Sequence, residues 1–187
     1  MAINYHPMAE LTPSNARVSL RRATVTDDDL LAALSGRLFE QTFGPDNDPE
    51  DMREHIEKAL MIDSREAVSD PERRVWIAED DAGEAVGYTV ARRGSTADGV
   101  AGGSTAEVQR IYVDRAWHGR GVGEALMRVC VEQAHEWNAD VLWLAVWERN
   151  PRAIAFYEKS GFRIVGRQTF VLGRDVQQDF VMSRPLR

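Results

Sequence analysis

The stretch from Glu107 to Asn138 constrains this chain most. E-V-Q-R-I-Y-V-D, Glu107 to Asp114, has the make-up of a strand. W-H-G-R-G-V-G-E then puts glycine at 119, 121 and 123, and a long helix is predicted from about Gly121 to Asn138. Glycine at a helix start costs backbone entropy, so three on alternate positions need a reason other than packing. A strand that passes through a turn of small residues into a helix is a general arrangement for an anion. Backbone N–H groups point into the turn, and the helix N-terminus adds positive potential. Arg120 can add a charge. The turn reads as a phosphate or pyrophosphate site.

The segments around it alternate between strand and helix. Val18 to Arg22 is a short predicted strand, followed by a helix with Thr26 as N-cap and Leu30, Leu31, Leu34 and Leu38 on one face, ending near Phe43-Gly44. A second helix follows Asp48-Pro49 with Met52, Ile56, Ala59 and Leu60 inward, and a short helical piece fits between Asp63 and Ser69. R-V-W-I-A-E-D and A-V-G-Y-T-V-A-R, joined by D-A-G-E, form a hairpin. The loop R-G-S-T-A-D-G-V-A-G-G-S-T looks the most flexible part of the chain. The helix after the glycine turn carries an inward stripe of Val122, Leu126, Val129, Cys130, Ala134 and Trp137, with Glu124 and Arg128 as an outward i,i+4 pair.

Val141 to Trp147 is an apolar run suited to a strand covered on both faces. N-P-R-A-I-A-F-Y-E-K-S-G-F is a helix with Asn150 as N-cap, Pro151 in the first turn and Gly161 at the exit. Strands over about Arg163 to Leu172 and Val176 to Met182 close the chain. This order predicts an α/β fold, a mixed sheet with helices on both faces. Residues 1–15 read as a loose N-terminal arm and 16–187 as one domain.

Length and composition set the outer bounds. With 187 residues, a net charge of −7 and no repeat or long linker, one globular domain is enough. The acidic balance disfavours nucleic acid and is compatible with a cationic substrate. No apolar run reaches membrane-spanning length and the N-terminus lacks a signal-peptide pattern, so a cytoplasmic protein with no membrane partner is the expectation. The single cysteine, Cys130, reads as a small buried hydrophobe. The histidines, among them His6, His55 and His135, lack ligand spacing, so no metal is expected.

The turn fits neither a P-loop, which needs a Lys after its last glycine, nor the G-x-G-x-x-G fingerprint. His118 to Gly123, H-G-R-G-V-G, resembles the acyl-CoA pyrophosphate loop [Q/R]-x-x-G-x-[G/A] of the GNAT superfamily of N-acetyltransferases, with His118 in place of the first Gln or Arg. The strand residues I-Y-V before it and N-P-R-A-I-A-F-Y-E-K-S-G-F after it sit at the family's usual intervals, and the resemblance covers roughly Val18 to Leu186. W-L-A-V-W-E-R-N-P-R-A-I-A-F-Y-E-K-S-G-F, F-V-L-G-R-D-V-Q-Q-D-F-V-M and F-E-Q-T-F-G-P-D-N-D-P-E-D-M are similar to the PaiA-type polyamine acetyltransferases.

That resemblance implies the GNAT fold, a mostly antiparallel sheet of about seven strands, and acetyl-CoA as co-substrate. It implies that backbone groups of the strand at Ile111 and Val113 meet the pantetheine arm, with Tyr112 between them also at the cofactor. It further implies that Gly119, Arg120, Gly121, Val122 and Gly123 hold the pyrophosphate, with His118, Asn150, Ala153 and Phe156 also at the cofactor. Glu107, eleven residues before His118, is the candidate base, and Tyr157 the candidate general acid, with Tyr112 as its substitute. Strand alternation puts Glu107, Gln109 and Ile111 on one face, and Val108, Arg110 and Tyr112 on the other.

The implied acceptor is a small-molecule amine, first a polyamine such as spermidine or spermine. Glu40, Phe43 and Trp147 are candidate acceptor contacts, and Asp46, Asp48 and Glu50 are further carboxylates for a polycation. A peptide N-terminus, an antibiotic or another small amine is the alternative within the class. A non-catalytic acyl-CoA-binding module is the alternative outside it. A homodimer is also open, since late strands in this superfamily often build dimer interfaces.

Overall fold

The computed structural model describes residues 18–186; the N-terminal arm expected over residues 1–15, with His6, lies outside them. Seven strands form one sheet in the order β1-β2-β3-β4-β5-β7-β6: β1 (Val18–Arg22), β2 (Arg73–Asp80), β3 (Ala85–Arg93), β4 (Thr105–Val113), β5 (Val141–Trp147), β6 (Arg163–Leu172) and β7 (Asp175–Pro185). All neighbours are antiparallel except β4 and β5. On one face lie α1 (Asp28–Phe43), α2 (Pro49–His55) and α3 (Met61–Ala67); on the other lie α4 (Val122–Glu136) and α5 (Pro151–Lys159). The expected α/β architecture is present.

Two packed cores follow from this layering. Leu31, Leu34 and Leu38 of α1 meet Val75, Ile77, Tyr88 and Val90 on one face. Met127, Cys130 and Ala134 of α4 meet Val108, Leu142, Leu144 and Met182 on the other, joined by Tyr157 and Phe162. Burial of this kind contributes about 25 cal/mol per Å² of apolar surface and is the main force closing the sheet between its helices.

Several local expectations are corrected. Thr24, not Thr26, opens the first helical segment: its N–H donates to Asp27 Oδ2 at 2.7 Å, while Thr26 exchanges a hydroxyl bond with Thr24. Leu30 is 40 % exposed, because the inward face of α1 is set by Leu31, Leu34 and Leu38. Ala59 is exposed because a five-residue π turn, Ile56–Leu60, separates α2 from α3 and shifts the helical phase. Met127 and Gln133 are buried in α4, whereas Val129 and Trp137 are only half-buried. Arg128 pairs with Glu132, not Glu124.

Two corrections bear on the site. The β3–β4 ladder slips by one residue: Val90 pairs with Arg110 but Ala91 with Val108, so Gln109 is bulged out. Simple alternation therefore fails across it. Val108 and Ile111 both pack on the α4 face, and Tyr112 packs on the α1 face. Second, the loop expected to be flexible is pinned to the edge of the sheet. A Cβ at Gly99 would lie 2.3 Å from the Val165 carbonyl oxygen, and one at Gly166 would lie 2.4 Å from that of Asp98. Only glycine permits this approach of two backbones.

Candidate active site

The parallel β4–β5 ladder is short. Thr105, Ala106 and Glu107 pair with Val141, Leu142 and Trp143, and no pair follows. The two strands part beyond that point, leaving the β5-facing edge of β4 up to Val113 without a ladder partner. Backbone groups there must find another partner or water. The gap opens into a cleft of about 830 Å³ that crosses from the α4–α5 side to the α1–α2 side. Ile111, Tyr112 and Val113 line it from β4, and Val146 and Trp147 from β5.

At one end stands the glycine turn. Gly119 and Gly121 have φ of +74° and +81°, a left-handed backbone that side chains resist, and a Cβ on either would meet nothing within 4 Å. Gly121 is the N-cap of α4 and offers no side chain to cap it. The first N–H groups of the helix, which have no intrahelical acceptor, are thus left for a ligand. The room beside the two glycines and the free donors fit a pyrophosphate. At Gly123 a Cβ would stand 3.5 Å from the Phe156 ring, an ordinary van der Waals contact, so packing against α5 does not itself require glycine there.

His118, Gly119, Gly123, Asn150, Ala153, Phe156 and Tyr157 line this end of the cleft. Val122 turns its side chain into the core, and Arg120 lies outside the lining, its guanidinium 5.1 Å from the centre of the Trp117 ring. The Asn150 side-chain Oδ1 caps α5 by accepting from the Ala153 N–H at 3.1 Å. His118 Nε2 lies 2.8 Å from the Val113 carbonyl oxygen, and Arg152 reaches its Nδ1 at 2.5 Å. The second contact gives no hint in the sequence beyond a basic residue in the first turn of α5.

The titratable groups of the gap are displaced from their ordinary ranges. Tyr157 is 8 % exposed, and burial pushes its hydroxyl well up, so it carries its proton at neutral pH. Burial likewise pushes Tyr112 up to about 12. Glu107 accepts from the Ser95 hydroxyl at 2.7 Å; burial raises its carboxyl, opposed by that bond and by Arg92, Arg110 and Arg73. Cys130 is fully buried, its thiol pushed up to about 12 by burial and 3.1 Å from the Thr89 hydroxyl, so it supplies no thiolate.

The other end of the cleft is walled by rings. Phe43 stands edge-on to Trp147 at 6.0 Å and to Tyr112 at 6.4 Å, and His55 meets Phe170 at 5.5 Å. The predicted contacts Phe43 and Trp147 are therefore brought together. Glu40 is not: α1 turns Phe39 and Phe43 toward the cleft, and Glu40, next round the helix, is exposed over a separate hollow. Asp46 lines the cleft, but Asp48 caps α2 and pairs with Arg174, and Glu50 pairs with Arg53. Sequence reasoning missed Asp179 of β7, a half-buried carboxylate in the lining, pushed up to about 6 by burial and by Glu148. Its signal was an acid at an alternate, inward position of a strand. Among the described residues no His/Cys/Asp/Glu group could hold a metal, and no helix is long and apolar enough to cross a membrane.

Comparison with known proteins places this geometry. Residues 36–162 match the Acetyltransferase (GNAT) family, and the chain belongs to it. It is an acetyl-CoA-dependent N-acetyltransferase. An uncharacterized N-acetyltransferase in the pepI 3'region of Lactobacillus delbrueckii subsp. lactis is 34% identical over 165 residues, covering 87% of this chain and 95% of that protein. An uncharacterized N-acetyltransferase of Mycobacterium tuberculosis H37Rv is 36% identical over 164 residues, covering 87% and 99%. The crystal structure of the PaiA N-acetyltransferase from Thermoplasma acidophilum in complex with coenzyme A superimposes with a TM-score of 0.68 over 90% of this chain and 99% of that one, at 16% identity. That likeness is one of fold.

Proposed function

We propose that this chain moves the acetyl group of acetyl-CoA directly to a primary amine, and that a polyamine such as spermidine or spermine is the first acceptor to test. The observation that carries the reading is the parting of β4 from β5, with the free strand edge, the glycine turn and Tyr157 all facing one cleft. In this reading the β4 edge at Ile111 to Val113 pairs with the pantetheine arm as an added strand would. The glycine turn and the α4 N-terminus hold the pyrophosphate.

The chemistry asks for three things: a neutral amine nitrogen, a donor to the carbonyl oxygen as charge develops, and a proton for the departing sulfur. Free amides of β4 supply the donor. Tyr157, protonated because it is buried, supplies the proton to sulfur as the C–S bond breaks, and the second proton that the nitrogen sheds as it becomes an amide restores it through solvent. Glu107 takes the ammonium proton through a chain of several waters along the cleft. It pairs with Trp143, four residues before Trp147, which at ~3.3 Å per residue sets it on the order of 13 Å along the strand from the ring wall. A cysteine relay has no support, because Cys130 is a buried neutral thiol.

The polyamine reading draws on the likeness of Phe39 to Met52 to the PaiA-type enzymes and on the four carboxylates in the lining, Asp46, Glu107, Glu124 and Asp179. The test is thiol release from acetyl-CoA against spermidine, spermine, simple diamines, short peptides and aminoglycosides, with Glu107→Gln and Tyr157→Phe in parallel. Turnover on polyamines alone, weakened in both variants, is the expected result. Turnover on peptides or aminoglycosides instead would retain the chemistry and replace the acceptor. Acetyl-CoA binding with no turnover on any amine would favour a binding module.

A further inference from the structure

We propose that Asp179 is the acceptor-binding residue of the cleft, holding the ammonium group of the incoming amine beside the rings of Phe43, Tyr112 and Trp147. The inference rests on the acetyltransferase reading and deepens it, by stating that the acceptor enters as a cation with an apolar body.

The strand register carries the first step. Asp179 pairs with Trp147 on β5 and with Gln168 on β6, and cross-strand partners share a face. Trp147 meets Phe43 of α1, so Asp179 also projects to the α1–α2 side, where the ring wall stands. It is at the level where β4 and β5 have parted, unlike Glu107, which stands at the last paired rung. Tyr112 feels its charge across the gap.

The second step is the missing partner. Its carboxylate neighbour is paired, Glu148 with Arg167 at 2.6 Å, and so are Asp63 with Arg73 at 2.7 Å and Asp51 with Arg174 at 3.1 Å elsewhere on the sheet and its helices. Asp179 has no ion pair or side-chain hydrogen bond among the described residues, although it is half-buried. A desolvated carboxylate without a partner is unfavourable, and a cationic ligand relieves it. Aromatic faces beside it add attraction for an ammonium and exclude water.

The charged groups around it do not supply that cation. Glu148 repels it, Arg167 is held by Glu148, and Arg149 lies over the Trp147 ring at 5.4 Å. His55 of α2 is held toward its neutral form by burial and Arg110, and Arg110 is tied to Asp63. Its own carboxyl, pushed up to about 6, ionises just below neutral pH. Acceptor binding is therefore present above that value and lost as the pH falls through it.

The experiment compares wild type with Asp179→Asn and Asp179→Glu in two readouts. The first is steady-state kinetics on whichever amine of the panel turns over. Asp179→Asn is expected to raise the amine KM about ten- to a hundredfold, with the KM for acetyl-CoA unchanged and kcat falling far less than KM rises. Asp179→Glu is expected to recover part of that loss, and the rise of amine KM in wild type below pH 6 is expected to vanish in the Asn variant. The second readout is calorimetric binding of butylammonium to the CoA-loaded protein, with butanol as the neutral control. Loss of butylammonium binding in Asp179→Asn, with butanol unaffected, supports the proposal. Equal amine KM and equal butylammonium binding in both proteins overturns it, as does a wild type that binds no butylammonium. Butylammonium bound through Asp179 with no turnover on any amine would uphold this site and reject the transfer reading instead.

Discussion

His118 Nε2 lies 2.8 Å from the carbonyl oxygen of Val113, and the opposite ring nitrogen receives Arg152. A guanidinium can only donate, so Nδ1 is the acceptor and Nε2 carries the proton to Val113. One neutral imidazole thereby ties the end of β4 to the first turn of α5, across the mouth of the glycine turn. Burial and the nearby Arg152 and Arg115 hold its pKa below the usual 6.5. The neutral form is the one the fold uses, so the contact with Arg152 is intact above that lowered pKa and is lost as pH falls through it. His118→Ala is expected to raise the KM for acetyl-CoA about three- to tenfold, as loss of a net hydrogen bond of roughly 1 kcal/mol implies. The increase in this KM on acidification should be absent in the variant. Isothermal titration with CoA at neutral and acidic pH checks both.

Tyr157 is placed by a helix whose ends were written in the sequence, and its burial makes it a proton donor rather than a phenolate. Tyr157→Phe removes only the hydroxyl. The expected outcome is a fall in kcat on the order of a hundredfold with the KM for acetyl-CoA little changed. Single-turnover kinetics would locate the loss in the acetyl-transfer step. A variant with unchanged kcat would assign the proton to another group.

What could be read in advance, and what could not, divides by the range of the interactions involved. The helix from Pro151 to Lys159 carries its own start and stop, Asn150 and Gly161, and its bounds follow from local chemistry. Val141 to Trp147 is likewise self-evident, being apolar throughout. The bulge at Gln109 is different, because it exists only in the pairing of β4 with β3, and no residue within β4 announces it. It decides which way Tyr112 faces. The π turn that turns Ala59 outward has no local marker either. Asp179 is not legible in the sequence because its meaning depends on register: only beside Trp147, at the parted end of β5, does an acid in a strand become a feature of the cleft.

Gly99 has φ of +89° and stands against the Val165 carbonyl. Gly99→Ala meets both a conformational cost and a backbone clash that cannot be relieved by rotating a side chain. The expected loss is about 2–3 kcal/mol, a fall in Tm on the order of 5 °C or more for a domain of this size. Gly83, with φ of +82° and nothing within 4 Å, separates the two effects. Gly83→Ala should cost only about 1 kcal/mol. Differential scanning calorimetry of the two variants gives the comparison, and equal losses would mean that the loop is not held against β6.

Asp27 closes the first helical segment and anchors it to the sheet. It accepts from the Thr24 N–H at 2.7 Å and receives both terminal nitrogens of Arg21, at 2.9 and 2.7 Å, while Arg21 also binds Glu79 at 2.7 Å. The guanidinium, foremost, and the Thr24 bonds pull its carboxyl down to about 2, from an ordinary 3.8. The folded-state value lies below the unfolded one, so the ionised carboxylate stabilises the fold. That contribution is complete above pH ~4 and is lost as the pH falls through about 2. Asp27→Asn keeps the shape but not the charge, and removes this acid-labile term. At pH 7 it is expected to be less stable than wild type by about 1–2 kcal/mol. Urea titrations at pH 7 and pH 3 should show the gap between the two proteins narrowing with acid; a gap that stays constant would place the stability of this corner in packing rather than in the Arg21–Asp27 pair.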